Sequence, residues 1–268
     1  MAKKQRADIL LVQKKITVSR EKAKLLIMSG AVFADNKPVY KPGELLSEDA
    51  TLSLRKEVLP FVSRGGLKLD KAINRFDLDI NDYICLDIGA STGGFTDCML
   101  KAGAKRVYSV DVGYGQLDWS LRSDNRVVVL ERTNARYLSE EQVTDKIDFF
   151  TMDVSFISTS LILPALKNLL KPNGSGVVLI KPQFEAERHQ VGKNGVVRKP
   201  EIHLEIIKKV ILKWEEKGFY LVDLDFSPIT GPKGNIEYLG LVNTNEGVDY
   251  SDIEIKTIIN NAHQELIK

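Results

Sequence analysis

The chain has 268 residues, of which 43% are hydrophobic and 28% charged, and its formal net charge at pH 7 is +2. Such a chain can bury a sizeable core, and its sequence contains neither an apolar run of the ~18 residues typical of a membrane helix nor a recognisable signal peptide. Two cysteines and three scattered histidines argue against a disulfide framework and a zinc cluster, and they favour a reducing compartment such as the cytoplasm.

The N-terminal part of the chain is basic and predicts a small α+β domain. Residues 1–60 contain twelve Lys and Arg against seven Asp and Glu, whereas the rest of the chain carries a net charge of −3. "ADILLVQKK" predicts a short helix, and Ser19 is the expected N-cap of a second helix that Gly30 ends. "AVFADNKPVY" then predicts short strands around an Asp35-Asn36 turn.

This N-terminal pattern is similar to a known RNA-binding module. Residues 19–32 match S-R-x-x-A-x-x-L-I-x-x-G-x-V, which resembles the S-four RNA-binding domain, where a helix-loop-helix presents basic residues to RNA. The resemblance implies RNA contacts from Arg6, Arg20, Lys22 and Lys24. The alternative is a basic cap domain that does not touch RNA. We expect this domain to span residues 1–60 and a linker to span 61–66.

From residue 67 onward the hydrophobic pattern predicts a second, larger domain. A helical segment, "LKLDKAINRFD", is followed by the apolar run "YICLDIGA", the helical "GGFTDCMLKAGA" and the apolar "RVYSVDVG", and this alternation continues toward the C-terminus. Such a rhythm predicts a parallel sheet covered by helices. "FYLVDLDFS" and "IEYLGLVN" predict a hairpin-like pair at an antiparallel edge. Residues 67–268 are therefore expected to form an α/β, Rossmann-like domain.

The stretch "CLDIGASTGGFTD" places a glycine-rich turn between a strand and a helix, where backbone N–H groups can face a ligand. It fits the dinucleotide pattern G-x-G-x-x-G poorly, because Ser91 stands where the second Gly belongs. The spacing resembles the first motif of S-adenosylmethionine-dependent methyltransferases, and a hydride-transferring Rossmann enzyme is the alternative. The resemblance implies cofactor contacts from Asp87, Gly89, Ser91, Gly93, Gly94, Asp111 and Asn134. Among these, Asp111 ends the next strand and is expected to accept hydrogen bonds from the cofactor ribose.

Charged residues interrupt three apolar strand patterns at their ends. Asp153 follows "FFTM", Lys181 follows "GVVLI" and Glu237 follows "GPKGNI". A lysine directly after a buried strand requires either an ion pair or a chemical task. Because ligands bind at the carboxyl edge of an open parallel sheet, we expect these three side chains to share one site.

Together with Lys68, these residues occur in the order of the K-D-K-E tetrad of FtsJ-like ribose 2′-O-methyltransferases. Over nearly its full length the chain resembles the TlyA family, whose members are ribosomal RNA methyltransferases that also carry an older haemolysin label. The resemblance implies catalytic roles for Lys68, Asp153, Lys181 and Glu237, S-adenosylmethionine as cofactor, no metal, and ribosomal RNA or a ribosomal subunit as partner. Because a ribose hydroxyl is a weak acid, Lys181 is the candidate base or alkoxide stabiliser. A membrane-active haemolysin and an RNA-binding protein with an inactive methyltransferase-like domain are the alternatives.

The segment "PQFEAERHQVGKNGVVRKP" is long and charged, and it follows a strand that carries a candidate catalytic residue. This position predicts an RNA-facing lid. Its phosphate contacts would be Arg188, Lys193, Arg198 and Lys199. The alternative is a solvated connector.

Overall fold

The computed structural model describes residues 4–28, 30–54 and 59–267, and it describes only the backbone of Lys193. The chain divides into two compact units, Met1–Arg64 and Gly65–Lys268. The predicted N-terminal domain therefore includes some positions, 1–3, 29 and 55–58, that lie outside the described residues.

The first unit is a small α+β structure. Its elements are β1 (Lys4–Arg6), α1 (Ala7–Gln13), α2 (Arg20–Met28), β2 (Val32–Ala34), β3 (Lys37–Pro38), β4 (Leu45–Ser47) and β5 (Leu52–Leu54). Strand β1 pairs with β4, and β2 lies between β3 and β5, all antiparallel. The predicted turn is confirmed, because Asp35 and Asn36 join β2 to β3 with φ of 49° and 63°. The Ser19 hydroxyl accepts a hydrogen bond from the backbone N–H of Lys22, as expected of an N-cap.

The second unit is a larger α/β structure. Its helices and strands are α3 (Gly65–Arg75), β6 (Ile84–Ile88), α4 (Gly94–Lys101), β7 (Arg106–Val110), α5 (Trp119–Arg122), β8 (Val127–Leu130), β9 (Ile147–Met152), α6 (Leu163–Leu166), β10 (Leu170–Ile180), α7 (Pro182–Glu185), α8 (Pro200–Glu215), β11 (Tyr220–Phe226), β12 (Tyr238–Asn243) and α9 (Asp252–Leu266). Single turns of 3-10 helix occupy Ala135–Tyr137, Thr159–Leu161, Arg188–Gln190 and Lys193–Gly195. Among the described helices of both units, none combines the length and apolar character needed to cross a membrane.

The described strands β6 to β12 form one sheet in the order β11-β12-β10-β9-β6-β7-β8. Strands β6 to β10 pair in parallel, whereas β12 runs antiparallel to both β10 and β11. This arrangement confirms the predicted parallel sheet with an antiparallel edge. The chain reverses its direction of strand addition at β6, which has β7 on one side and β9 on the other. Such a switch point leaves a crevice outside the carboxyl ends of the strands.

The second unit differs from the prediction at its start and at its end. Gly65 and Gly66, placed in the linker from the sequence, are the first residues of α3. Helix α9 was not predicted at all, although Ser251 and Glu254 form a capping box at its start. Its inner residues, such as Ile259, pack into the main core, so tertiary burial is what stabilises this helix.

Candidate active site

The topology of the sheet brings the four predicted catalytic residues to one edge. Asp153 directly follows β9 and Lys181 directly follows β10, so both lie at the carboxyl end of parallel strands. Glu237 precedes β12, and because β12 is antiparallel to β10, its first residue lies at the same edge beside the end of β10. Lys68 reaches this edge from the first turn of α3.

The four side chains form an alternating chain of charges. The Lys68 Nζ atom donates to Glu237 Oε2 at 2.7 Å and to Asp153 Oδ2 at 3.0 Å. The other carboxylate oxygen of Asp153, Oδ1, forms an ion pair with the Lys181 ammonium. Lys181 also donates to Ser155 Oγ at 3.2 Å, a partner that the sequence analysis missed although it lies two residues after Asp153. Two ammonium and two carboxylate groups thus balance one another in a largely buried place.

The electrostatics of this chain of charges restrict the possible roles of two members. Burial disfavours the charged form of Lys68, but the negative charges of Asp153 and Glu237 outweigh it and raise the pKa of this ammonium above its usual value. Burial also disfavours the carboxylate of Asp153, but Lys181 and Lys68 outweigh it and hold the pKa of Asp153 below its usual range. At neutral pH Lys68 is therefore a fixed cation and Asp153 a weakly basic anion. Neither is suited to accept a proton.

A cavity of about 410 Å³ opens beside these charges at the switch point of the sheet. Of the predicted cofactor residues, Gly89, Ser91, Asp111 and Asn134 line it, together with Asp153. The Asp111 carboxylate is oriented by two backbone groups, accepting from the N–H of Ser91 at 2.8 Å and from that of Gly113 at 2.6 Å. The Asn134 side chain accepts from the backbone N–H of Arg136 and caps the following 3-10 turn.

Glycine is required at two positions of the turn after β6. Gly89 has φ of 85°, and a Cβ atom there would lie 2.6 Å from the carbonyl oxygen of Asp153. Gly93 has φ of 94°, and a Cβ atom there would lie 2.2 Å from a methyl group of Leu121. The first glycine therefore allows the turn to pass close to the loop after β9, and the second allows α5 to pack on the turn.

Three of the predicted cofactor residues do not line the cavity, and the contacts of one of them, Asp87, indicate a different role. The carboxylate of Asp87 is buried and accepts hydrogen bonds from the hydroxyls of Thr96 at 2.6 Å and Thr151 at 3.1 Å. Gly93 packs against α5, as described above, and Gly94 is the first residue of α4. Asp87 thus ties the start of α4 to β9 and supports the turn from beneath, instead of reaching into the cavity.

The buried position of Asp87 predicts a pH effect on stability. Burial raises the pKa of Asp87 to about 6 from its ordinary 3.8, although the hydrogen bonds from Thr96 and Thr151 oppose the shift. Because the folded chain holds this proton more tightly, its titration favours folding below about pH 4, and this contribution is lost as the pH rises through about 6. The free energy of unfolding of Asp87→Asn, measured relative to that of the wild type, should therefore rise by about 2–3 kcal/mol as the pH increases from 4 to 7.

Urea unfolding of the two proteins at pH 4, 5.5 and 7 measures this difference, and all titrations that the two proteins share cancel in it. A difference in unfolding free energy that stays constant across this range would contradict the raised pKa of Asp87.

In the first unit, two of the predicted RNA contacts share an acidic partner. Asp8 is fully buried and accepts from Arg6 Nε at 2.9 Å and from Arg20 Nη2 at 3.0 Å. The hydrogen bond from Arg6 is the main cause that lowers the pKa of Asp8 to about 2, and Arg20 adds to it against the effect of burial. Both guanidinium groups remain about half exposed, and Lys22 and Lys24 are exposed on α2. Asp8 therefore holds two arginines side by side at the surface.

The predicted lid is more structured than a solvated loop. Its C-terminal part is fastened by Asn235, whose side chain accepts from the N–H of Val197 at 3.0 Å and donates to the carbonyl of Gly195 at 2.9 Å. Among the predicted phosphate contacts, Arg188, Arg198 and Lys199 are exposed, and the side chain of Lys193 lies outside the described residues. The C-terminal end of this segment is therefore held in a fixed position.

Comparison with known proteins reveals close relatives. Residues 61–243 match the model of the FtsJ-like methyltransferase family. A Bacillus subtilis protein named as a candidate rRNA methyltransferase, YqxC, is 47% identical over 270 residues, which cover 99% of this chain and 96% of the relative. The 16S/23S rRNA (cytidine-2′-O)-methyltransferase TlyA of Mycobacterium tuberculosis is 43% identical over 239 residues, or 89% of each chain. A solved structure of a candidate hemolysin from Streptococcus thermophilus is 45% identical, with a TM-score of 0.78, and the match covers 99% of this chain and 98% of that one.

Proposed function

The chain belongs to the FtsJ-like methyltransferases and to their TlyA family, and we propose that it transfers a methyl group from S-adenosylmethionine to a ribose 2′-hydroxyl of ribosomal RNA. The observation that carries this proposal is the alternating chain of Lys68, Asp153, Lys181 and Glu237 beside a ligand-sized cavity. The complete set of four argues against an inactive methyltransferase-like domain. The hemolysin name of some relatives is then a historical label.

The residues around the cavity fit S-adenosylmethionine. A volume of about 410 Å³ lies within the range of small-molecule sites, roughly 300–1,000 Å³. A carboxylate has about four acceptor positions, so Asp111 can accept two more hydrogen bonds, from ribose hydroxyls, besides those from Ser91 and Gly113. Val112 and Ile157 also line the cavity and offer apolar contacts to an adenine ring. When bound, the cofactor supplies an electrophilic methyl group on its sulfonium.

The four charged residues would act on the ribose oxygen that attacks this methyl group. Since the pKa shifts leave Lys68 a cation and Asp153 a weak base, Lys181 is the group we assign to the attacking oxygen. As a neutral amine it would accept the hydroxyl proton, and as an ammonium it would stabilise the charge that develops on the oxygen. Asp153 and Ser155 orient the Lys181 ammonium, and Lys68 holds Asp153 and Glu237 in place. Holding the oxygen in line with the methyl group supplies much of the remaining rate.

An exposed aromatic side chain beside the cavity is suited to bind the target nucleotide. Phe156 lines the cavity, is 90% exposed, and has φ of 65°, a conformation that bulky residues rarely adopt. Its ring lies 4.8 Å from that of Phe184, centroid to centroid. Unstacked RNA bases bind to aromatic rings of this kind. We assign Phe156 as the stacking surface for the target base, a cytidine if the specificity named for the relatives holds here.

The basic first unit supplies the proposed RNA anchor. Arg6 and Arg20, paired by Asp8, and the exposed Lys22 and Lys24 offer phosphate contacts on one small unit. The proposed substrate is found in the cytoplasm, the compartment that the cysteine content also predicts.

Neutralising part of this anchor should weaken RNA binding without affecting the cofactor. We expect the double variant Lys22→Ala/Lys24→Ala to lower the affinity for ribosomal RNA and to reduce the slope of log affinity against log salt by roughly 1–2. Calorimetry should give an unchanged affinity for S-adenosylmethionine. The control is Lys208→Ala/Lys209→Ala, which removes two exposed lysines of α8 that pair with Asp252 and Glu187. An unchanged salt slope for the α2 variant would remove these lysines from the RNA interface.

Removing the proposed ribose acceptor should weaken cofactor binding. Asp111→Ala should cost roughly 1–3 kcal/mol in affinity for S-adenosylmethionine, because the ribose hydroxyls lose a charged acceptor. Asp111→Asn, which keeps one acceptor oxygen, should fall between the wild type and the alanine variant. Titration calorimetry measures all three proteins, and equal affinities would show that the ribose binds elsewhere.

The proposed function as a whole is tested by mapping 2′-O-methyl groups in ribosomal RNA from cells with and without the protein. We expect at least one position to lose its methyl group when the protein is absent and to regain it when purified protein and S-adenosylmethionine are added to the isolated ribosomal subunit. Identical maps, together with no transfer in vitro, would overturn the proposal.

A further inference from the structure

Glu185 is a buried acidic residue that the proposed chemistry does not use. It ends α7, four residues after Lys181, and only 8% of its surface is exposed. Its carboxylate accepts hydrogen bonds from Ser158 Oγ at 2.7 Å, from the Thr159 backbone N–H at 2.9 Å and from Thr159 Oγ1 at 3.2 Å. All of these partners are neutral donors on the loop that follows β9. A buried carboxylate is costly to desolvate, and these hydrogen bonds offset that cost only while the loop keeps its position.

This contact is the last of three that join the loop after β9 to the turn after β10. Lys181 contacts Asp153 and Ser155, the Phe184 ring packs on that of Phe156, and Glu185 binds the residues at positions 158 and 159. The contacts follow the same order along both segments. Consequently the loop over residues 154–158 is held at one end by Lys181 and at the other by Glu185.

We infer that Glu185 is a positioning residue that fixes this loop, and with it Ser155 and Phe156, against the Lys181 ammonium. Thr159, the partner of Glu185, is itself held in place, because its Oγ1 atom accepts a hydrogen bond from the Nε1 atom of Trp214, a fully buried residue of α8. Phe156 has the left-handed backbone conformation, which persists only where the surroundings enforce it. Glu185 supplies that constraint from the turn after β10.

The inference deepens the proposed function and rests on it for the effect on methyl transfer. The effect on the loop itself does not depend on which substrate the protein uses. Three full-length variants separate these matters: Glu185→Ala, Glu185→Gln and, as a control for lost stability, Ile259→Ala. Ile259 is a buried core residue of α9.

Steady-state methylation kinetics and amide hydrogen exchange over residues 154–160 are measured at a temperature where all variants are folded. Glu185→Ala should lower kcat by roughly 10²-fold, as expected for misplaced reacting groups, and should speed exchange in the loop. Glu185→Gln should stay within about threefold of the wild type, because its amide oxygen can accept from Thr159 while its NH2 group donates to Ser158 Oγ. Ile259→Ala should lower the melting temperature but leave kcat and exchange in the loop unchanged.

Unchanged loop exchange in Glu185→Ala would overturn the inference, as would an equal loss of kcat in Ile259→Ala. If the wild-type protein transferred no methyl group, the proposed function would fail, and the exchange measurement would still decide whether Glu185 fixes the loop.

Discussion

Lys181→Ala is expected to abolish methyl transfer while leaving the binding of S-adenosylmethionine largely unchanged. The Lys181 ammonium contacts Asp153 and Ser155, which both line the cavity, whereas the proposed cofactor contacts lie on the turn after β6 and at Asp111. Because the proposed interaction forms mainly in the transition state, kcat and kcat/KM should fall together, by roughly 10²–10⁴-fold. The fold should survive, since Asp153 keeps Lys68 as a partner.

Steady-state kinetics with labelled cofactor and ribosomal RNA measure this loss. Lys209→Ala is the matched control, because this lysine is exposed and pairs only with the exposed Glu187 among the described ion pairs. Lys181→Arg distinguishes two roles, since a guanidinium keeps the charge but does not accept a proton. Near-normal product from Lys181→Ala would remove Lys181 from the mechanism. Activity in Lys181→Arg would leave charge stabilisation as its only role.

Asp153→Asn should damage both stability and catalysis. The substitution keeps the shape of the side chain but removes the carboxylate that lies between the Lys68 and Lys181 ammonium groups. Breaking a buried pair by removing one charge costs about 3–5 kcal/mol, and the misplaced Lys181 should lower kcat by at least roughly 10²-fold. Urea unfolding and steady-state kinetics, both at a temperature where the variant is folded without denaturant, measure the two effects.

The stability effect of Asp153→Asn should depend on pH in a defined direction. The neighbouring lysines hold the pKa of Asp153 below its usual range, so its stabilising contribution is present above about pH 4 and is lost as the pH falls toward the lowered value. The difference between wild type and variant should therefore shrink on acidification. Asp124→Asn, which breaks the partly exposed pair with Arg126, should cost less than about 1 kcal/mol. A similarly small cost for Asp153→Asn would mean that the ion pairs of Asp153 with Lys68 and Lys181 contribute little to the free energy of unfolding.

The fold class and three of the four catalytic candidates could be predicted from local patterns in the sequence, whereas Lys68 was assigned only from the resemblance to the FtsJ-like tetrad. Alternating strand and helix signals specify a parallel sheet, and a charged residue directly after a buried strand is automatically at its carboxyl edge. For this reason Asp153 and Lys181 could be assigned to one edge of the sheet. Glu237 precedes β12, and it lies at the same edge because β12 is antiparallel to β10. The residues that line the cavity after β6 and β7 followed from the same rule.

Only the tertiary structure decided which side chains meet. Lys68 and Glu237 are 169 positions apart, and no local pattern shows that one ammonium bridges two carboxylates. Asp87 stands in the cofactor motif, yet its carboxylate faces Thr96 and Thr151, because the backbone sets where a side chain begins and packing decides where it points. The same holds for Glu185, whose partners on the neighbouring loop become visible only once β9 and β10 lie side by side.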